Sequence, residues 1–495
     1  MAKTVKELKE THELYKANVA SWRLYLSAFE GIETIIANGY ITQHEREPDA
    51  AYERRIKELY GFGYSKSIVR ILNFFLFKEP TNNTLQPLEK EEQWQMFMKD
   101  TNLYGDDFDT VMMRTTLYAS VLGQMGILVD KSPAKFPNLA AEKAAKVYPY
   151  LAIYFPSAIL DWSFDKDENN RPYLSMIKLL NNDGTYTIWT TTNWEIWEIQ
   201  LNDDGTPKDA DTDEAKLINS GINELGFIPF LWLYNNKSPK EGIGVSDLTE
   251  ISRIDISIIK NTSQIEEVID YAAFPMMIKA MRNAKPDEVA SPQGDDEVSV
   301  SAIQEYDPEY PETKPEWMKT EVGESITSIL ENISKKISEI YRSSNVGGLA
   351  STEIQTQAKS GVALNTEFQM LNAELVAKAI NLEKAENRIL EFWLKWQKLW
   401  DKYKKEVSFA RSRTYDVKNL SASLENALTA KTIVMSRTFN ELLQKQTARQ
   451  VLPGMTEDER NQVDEEIGTN VAKLPELPEE TDENVDIIED GMSEE

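Results

Sequence analysis

The 495-residue chain contains no cysteine and only two histidines, His12 and His44. The absence of cysteine excludes disulfides, thiol nucleophiles and cysteine-ligated zinc or iron–sulfur centres. A catalytic triad or a multi-histidine metal site would need His12 or His44, and both lie in polar runs that are typical of surface side chains. No apolar run reaches the roughly 20 residues that a membrane span requires. The N-terminal residues alternate in charge and lack the apolar core of a signal peptide. We therefore expect a soluble, intracellular chain with no membrane partner.

Basic residues are also scarce, with 54 Lys and Arg against 82 Asp and Glu, which gives a net charge of −28. Residues 456–495 hold 16 acidic and two basic residues, a local net charge of −14 and half of the total. This composition predicts an acidic, disordered tail over 469–495. The other half of the charge belongs to the rest of the chain and argues against ordinary binding of a nucleic-acid backbone.

Recognisable catalytic motifs are missing as well, because the sequence has no Walker-type phosphate loop, HExxH, GxSxG or EF-hand loop. The glycine pair Gly242 and Gly244 lacks the third glycine of a dinucleotide-binding turn and predicts a tight turn into a helix. We therefore expect no catalytic residues, no metal site and no cofactor. Carboxylates are abundant, however, so an acidic enzyme that uses carboxylate-bound Mg²⁺ stays open.

Hydrophobic periodicity predicts an α+β protein that is mainly helical. Helical spacing dominates up to residue 80 and returns over Glu91–Asp100 and Phe108–Leu122, whereas the period changes to two between 148 and 234. The predicted strands are Gly126–Asp130, Tyr150–Phe155, Ile159–Phe164, Tyr173–Leu180, Thr185–Thr191, Trp194–Leu201 and Phe230–Tyr234, with Val407–Ala410 as a return strand. Trp189, Trp194 and Trp197 are expected to pack across strands in a core.

Between Gly244 and Tyr403 the pattern suits a conduit or a scaffold better than a catalytic pocket. A helix (Ser246–Tyr271), a Pro- and acid-rich excursion (Phe274–Lys314) and a second helix (Glu316–Arg342) precede a Gly-Gly and Ser/Thr/Gln-rich break (Ser343–Gly361). Taken alone, that break is more typical of a linker. A single long helix, Val362–Tyr403, should follow, on the order of 60 Å long. Its exposed side is predicted to carry Glu374, Lys378, Glu383, Lys384, Glu386, Arg388, Glu391, Lys395 and Lys398.

In this order the chain resembles the portal proteins of tailed bacteriophages. The resemblance rests on Tyr52-Glu-Arg-Arg55 with Ser67–Leu72 and Phe77–Pro80, and on Gly126–Asp130 with Tyr154–Trp162. Ile228-Pro229-Phe230 ahead of Gly244–Leu248 resembles the entry to the portal stem. Each phrase is loose alone, and the specificity lies in their order over most of the chain.

The resemblance implies a portal fold with a β-rich wing, two stem helices, a clip, a long spine helix and a helical crown. The implied segments are the wing 1–244, stem helix 245–271, clip 272–315, second stem helix 316–342, tunnel loop 343–361, spine helix and return to the wing 362–419, and crown 420–468. It also implies a tunnel loop that faces DNA through Gly347, Gly348, Ser351, Thr352, Gln355, Gln357 and Lys359. Docking of terminase or adaptors is implied at the clip residues Asp287, Glu288, Asp295, Asp296 and Glu297.

The implied function is a homo-oligomeric ring, of twelve subunits in the family, at one capsid vertex of the virion, assembled in the host cytoplasm. Its partners would be double-stranded DNA in the channel, the terminase large subunit, the major capsid protein and a head–tail adaptor. A channel through which DNA slides should bind it weakly, which suits an acidic lining with few cations. Lys359 is then the expected main phosphate contact, a role that wild-type packaging by both Lys359→Ala and Lys359→Glu would exclude.

Two other functions stay open from the sequence. The first is the acidic, metal-dependent phosphodiester-processing enzyme, and the second is a filament or scaffold subunit built on the long helix. Particle images would distinguish the three. A ring with a central hole would support the portal, a small particle with metal-dependent turnover the enzyme, and an open polymer the filament or scaffold subunit.

Overall fold

The computed structural model describes residues 3–78, 81, 83–134, 136–137, 139–199, 215–273, 277–278, 316–317, 323–346, 361–413 and 415, and part of 441–471. The chain divides into two compact units, Met1–Tyr415 and Asp416–Glu495. The fold class is α+β, as the hydrophobic periodicity predicts.

The helices of the first unit lie before, between and after its strands. They are α1 (Val5–Lys9), α2 (Glu13–Glu30), α3 (Ile32–Ala37), α4 (Asp49–Lys57), α5 (Tyr64–Lys78), α6 (Glu92–Lys99), α7 (Phe108–Leu122), α8 (Leu139–Ala144), α9 (Ile251–Ala273), α10 (Gly323–Ser343), α11 (Gly361–Trp396) and α12 (Trp400–Tyr403). Short 3₁₀ turns cover Gln86–Lys90 and Pro156–Ala158. The predicted helices before residue 123 are confirmed.

All described strand pairs are antiparallel. The strands are β1 (Gln124–Asp130), β2 (Tyr150–Tyr154), β3 (Ile159–Lys166), β4 (Pro172–Leu180), β5 (Tyr186–Thr190), β6 (Asn193–Glu198), β7 (Lys216–Ile222), β8 (Phe230–Tyr234), β9 (Asn236–Lys237), β10 (Gly244–Val245), β11 (Met277–Ile278) and β12 (Glu316–Trp317). One sheet has the order β2-β1-β8 and a second has the order β3-β4-β5-β6-β7, while β9–β10 and β11–β12 form two-stranded pairs. Every strand predicted between 126 and 234 is confirmed, and Trp189 and Trp197 are buried in the core. The strand β7 is not predicted.

The main core of the first unit lies where α11 packs on the three-stranded sheet and on α5–α7. Trp393 of α11 is fully buried and meets the ring of Trp94 edge-on at 4.9 Å between centroids. Phe108 stacks on Phe409 at 5.1 Å, so the chain that follows α12 returns to the same core. The predicted return strand Val407–Ala410 is wrong, because Ser408 forms only an isolated bridge with Thr84.

The helices α9 and α10 pack antiparallel. The Nζ of Lys336 donates to the hydroxyl of Ser257 at 2.8 Å, and one turn further on Asn261 faces Asn332. Moving four residues up α9 therefore moves four residues down α10. The apolar stripe of α10 packs in the core and consists of Ile326, Ile329, Ile333, Ile337 and Ile340.

Strand β11, which follows α9 in the chain, and β12, which precedes α10, also pair antiparallel, with Met277 opposite Trp317. The predicted helix Ser246–Tyr271 begins later, at Ile251, because residues before it are held in β10 and in the contacts described below. The predicted helix Glu316–Arg342 begins at Gly323, because its first residues form β12.

The long helix is also shorter than predicted, since α11 ends at Trp396 rather than at Tyr403. Lys398 has a left-handed backbone with φ 57°. The amide of Leu399 bonds to the carbonyl of Leu394 at 2.8 Å, and the amide of Lys398 bonds to that of Lys395 at 3.1 Å. This pair of hydrogen bonds is the Schellman arrangement that terminates helices.

The second unit contains α13 (Glu457–Val471). Arg449 pairs with Asp464 of this helix at 2.7 Å. α13 continues three residues into the predicted tail, and residues 472–495 lie outside the described part of the chain. None of the described helices is long and apolar enough to cross a membrane.

Candidate functional site

A buried lysine ties the long helix α11 to the chain that enters α9. Lys378 is only 4% exposed, and its Nζ lies 2.7 Å from each carboxylate oxygen of Asp247. The same Nζ donates to Oδ1 of Asn235. Because a buried charge is tolerated only when it is paired and hydrogen-bonded, these contacts fix α11 against the start of α9. The prediction that Lys378 lies on the exposed side of the helix is wrong.

Two glycines bring Asp247 to this position. A Cβ on Gly244 would lie 2.0 Å from the carbonyl oxygen of Gly123, and a Cβ on Gly123 would lie 2.7 Å from that of Gly244. The two backbones can approach so closely only because neither residue has a side chain. The next residues are then bonded to the end of α7, with the amide of Asp247 donating to the carbonyl of Ser120 at 3.0 Å.

Asn235, directly after β8, connects this pair to the sheet. Its side-chain nitrogen donates to Oδ1 of Asp247 at 2.7 Å and to the carbonyl of Val245 at 3.1 Å. Its own backbone carbonyl accepts from Asn381 of α11 at 2.8 Å, and Ser120 donates to its side-chain oxygen at 3.2 Å. One asparagine therefore bonds to α7, to α11 and to the entry into α9.

The end of α10 reaches the same place on α11. Asn345 has a left-handed backbone with φ 56° and donates from its side chain to Oε2 of Glu374 at 3.0 Å. The other oxygen of Glu374 lies 3.9 Å from the Nζ of Lys378. Val346, the last described residue before 361, is 1% exposed. We call Asn235, Asp247, Asn345, Glu374 and Lys378 the polar hub.

Helix α4 holds α9 from another side through polar contacts. Arg54 pairs with Glu267 at 2.9 Å, and Arg55 donates to the hydroxyl of Ser263 at 3.3 Å. Arg55 also forms two hydrogen bonds to Glu47, at 2.7 and 2.8 Å, and its guanidinium lowers the pKa of that carboxyl. The arginines of the Tyr52–Arg55 motif thus position α9.

Asp255 of α9 is a buried carboxylate of a different kind. It is 2% exposed and accepts from the amide of Ser65, in the first turn of α5, at 2.9 Å. Its Oδ1 has no hydrogen-bond partner among the described residues, and the same holds for the hydroxyl oxygens of Ser65 and Ser252. Burial raises the pKa of Asp255. The positive end of the α5 helix dipole offsets part of this cost.

A second buried ion pair joins α11 to the returning chain. Arg411 donates from Nε to Glu386 at 2.9 Å and from Nη2 to the other oxygen of the same carboxylate. Glu386 is fully buried, so its predicted place on the exposed side of the helix is wrong. This pair holds the segment after α12 along α11.

The helical spacing of Lys378 and Glu386 is the sequence signal that could have predicted their burial. Leu375, Lys378, Leu382, Glu386 and Ile389 follow one another at steps of three or four, so Lys378 and Glu386 occupy the apolar stripe itself. A charge in such a stripe indicates a buried partner, although the sequence does not reveal that the partners are Asp247 and Arg411.

The site residues predicted from the resemblance fall outside the described residues. This applies to the tunnel-loop set Gly347, Gly348, Ser351, Thr352, Gln355, Gln357 and Lys359, and to the clip set Asp287, Glu288, Asp295, Asp296 and Glu297. Within the described part of the chain, no group of three or more His, Asp or Glu side chains is arranged to hold a metal ion. His44 is exposed as predicted, whereas the half-buried His12 caps α2 and stacks on Trp162 at 4.2 Å.

Comparison with known proteins finds no matching family model and no significant match among curated proteins. Among solved structures, a chain of "Virion of native gene transfer agent (GTA) particle" is 12% identical, with a TM-score of 0.42 over 84% of this chain and 98% of that chain. A chain of "Neck of native GTA particle computed with C12 symmetry" is 10% identical, with a TM-score of 0.41 over 77% and 89%. A chain of "Neck of empty GTA particle computed with C6 symmetry" is 10% identical, with a TM-score of 0.43 over 83% and 97%. Similarity at this level assigns the chain neither a family nor a function.

Proposed function

We propose that the chain is a portal subunit: a member of a homo-oligomeric ring, of about twelve copies as the family resemblance implies, that forms a DNA channel at one capsid vertex. The proposal rests mainly on the antiparallel α9–α10 pair and on the antiparallel pairing of β11, which follows α9 in the chain, with β12, which precedes α10. Two paired helices that carry an excursion at their far end, followed by a break and the long helix α11, reproduce the order of stem, clip, tunnel loop and spine.

The segments follow from that order. Helices α9 and α10 belong to the stem segments 245–271 and 316–342, residues 272–315 are the clip, and residues 343–361 are the tunnel loop. In this proposal the polar hub joins the base of the first stem helix, the end of the second and the spine. The clip docks terminase and later the head–tail adaptor, and the protein acts as a structural component of the virion, without catalysing a reaction.

The exposed side of α10 suits the wall of a channel. Its exposed charged residues are Glu324, Glu331, Lys335 and Arg342, and the Nε of Arg342 donates to the half-buried Glu339 at 2.8 Å. Three carboxylates against two cations leave little net attraction for phosphates. Each neutralised phosphate adds to affinity and must be released again at every step, so a weakly binding wall favours movement of DNA.

Negative-stain electron microscopy of the purified chain tests the proposal. We expect top views of a symmetric ring with a central hole. An open polymer would instead support the scaffold subunit built on the long helix. A small particle with metal-dependent phosphodiester turnover would support the acidic enzyme, and either result would reject the portal.

A further inference from the structure

Two adjacent turns of α11 contact two chain segments that are far apart in sequence. Glu374 accepts a hydrogen bond from Asn345 at the end of α10. Lys378, four residues later, binds Asp247 ahead of α9. The two charged side chains of α11 are themselves 3.9 Å apart, from Oε1 of Glu374 to Nζ of Lys378.

We propose that Glu374 and Lys378 couple the position of the end of α10 to the start of α9, an inference that rests on the proposed function for its biological purpose. A displacement that withdraws Asn345 from Glu374 would then weaken the hold of Lys378 on Asp247. In a channel subunit, a shift of the second stem helix would then change how firmly the start of the first stem helix is held.

The coupling follows from the limited number of protons on an ammonium group. Lys378 has three N–H donors, and its described partners are the two oxygens of Asp247 and the side-chain oxygen of Asn235. Glu374 can therefore gain a hydrogen bond from Lys378 only at the expense of one of these. While Asn345 supplies a donor to Glu374, that competition is weak.

The surroundings of the polar hub determine which of its residues can move. Asn235 and the backbone of Asp247 are both bonded to Ser120 of α7, so this side is fixed to the sheet and core. The side chain of Glu374 is 24% exposed, whereas that of Lys378 is only 3% exposed. Glu374 can thus change its hydrogen-bond partner with little rearrangement, and Lys378 transmits that change to Asp247.

Hydrogen exchange of the full-length chain, followed by mass spectrometry, tests the coupling. Asn345→Gly removes the amide donor and keeps a residue that accepts the left-handed backbone. We expect exchange to accelerate at 344–346 and also, by about fivefold, at 247–252, a typical lower bound for coupling between sites. Glu374→Gln keeps an acceptor for Asn345 but removes the charge that attracts Lys378, so the double variant should accelerate only at 344–346.

Asn170→Gly is the matched control, because Asn170 also has a left-handed backbone, at φ 62°, in an exposed turn. It should leave 247–252 unchanged. Unaltered exchange at 247–252 in Asn345→Gly would reject the coupling, as would an equal acceleration in the double variant. The measurement does not require rings: rings without coupling reject this inference alone, whereas coupling without rings rejects the portal alone.

Discussion

The buried carboxylates of the first unit lie in contrasting electrostatic surroundings. Asp247 and Glu386 each face a buried cation, Lys378 and Arg411 respectively. Asp255 faces only backbone amides and serine hydroxyls, with no cation among its described partners. A charge that loses water without gaining a counter-charge costs folding free energy, so Asp255 is one residue at which the stability of the fold is expected to depend on pH.

Asp255→Asn should stabilise the chain at neutral and alkaline pH. Burial raises the folded-state pKa of Asp255 above its ordinary value, so the folded chain holds this proton more tightly than the unfolded chain. The stability contributed by the protonated form is therefore lost as pH rises from the ordinary pKa of aspartate through the raised folded-state pKa of Asp255. Asparagine keeps an acceptor for Ser65 and adds donors for the unsatisfied hydroxyls nearby. Melting temperatures should be higher for the variant at pH 8 and converge with wild type near pH 4; a constant difference would contradict the prediction.

At the scale of elements, the end of α11 is set by backbone geometry rather than by a breaking residue. Lys398 adopts a left-handed conformation that favours glycine, yet neither glycine nor proline occurs between Gly361 and Tyr403. The apolar pattern continues through Trp400 and Tyr403, which pack on the same core after the break. Periodicity therefore predicted one helix where the chain forms two.

Lys398→Gly should stabilise the chain by roughly 1 kcal/mol, because a left-handed backbone costs about 1–2 kcal/mol in a residue with a Cβ and glycine loses some of this gain through its greater unfolded-state freedom. Urea unfolding at pH 7 measures the effect as a higher midpoint. Lys398→Ala controls for loss of the lysine side chain and should not raise the midpoint. If glycine and alanine gave equal stability, the backbone strain assigned to this position would be wrong.

Structure that is encoded by neighbouring residues could be predicted from the sequence, whereas contacts between distant residues could not. Elements with regular apolar spacing were predicted, including every strand between 126 and 234 except β7. That strand exposes nearly all of its residues, so no alternation marks it. The polar hub was not predicted, because the partners of Lys378 lie at 235 and 247 and nothing local indicates the pairing. Its only local signal is a lysine within an apolar stripe.

At the scale of the whole molecule, the two residues that flank 279–315 are neighbours, because Ile278 of β11 pairs with Glu316 of β12. We expect that replacing 279–315 with a short Gly- and Ser-containing turn keeps the unfolding temperature of the chain, since a shorter loop costs less closure entropy. Calorimetry checks this. A matched deletion of 277–317, which also removes both strands, should lower the transition; an equal loss in both variants would show that the excursion itself supports the fold.

The strand pair β11–β12 has a consequence for how such a chain can diversify. Ile278 and Glu316 are paired, so the ends of any segment inserted between them are held side by side. The helices α9 and α10 therefore need not shift when that segment changes. The inserted piece can then vary in length and sequence over generations at its own rate, while the helices on either side are inherited unchanged.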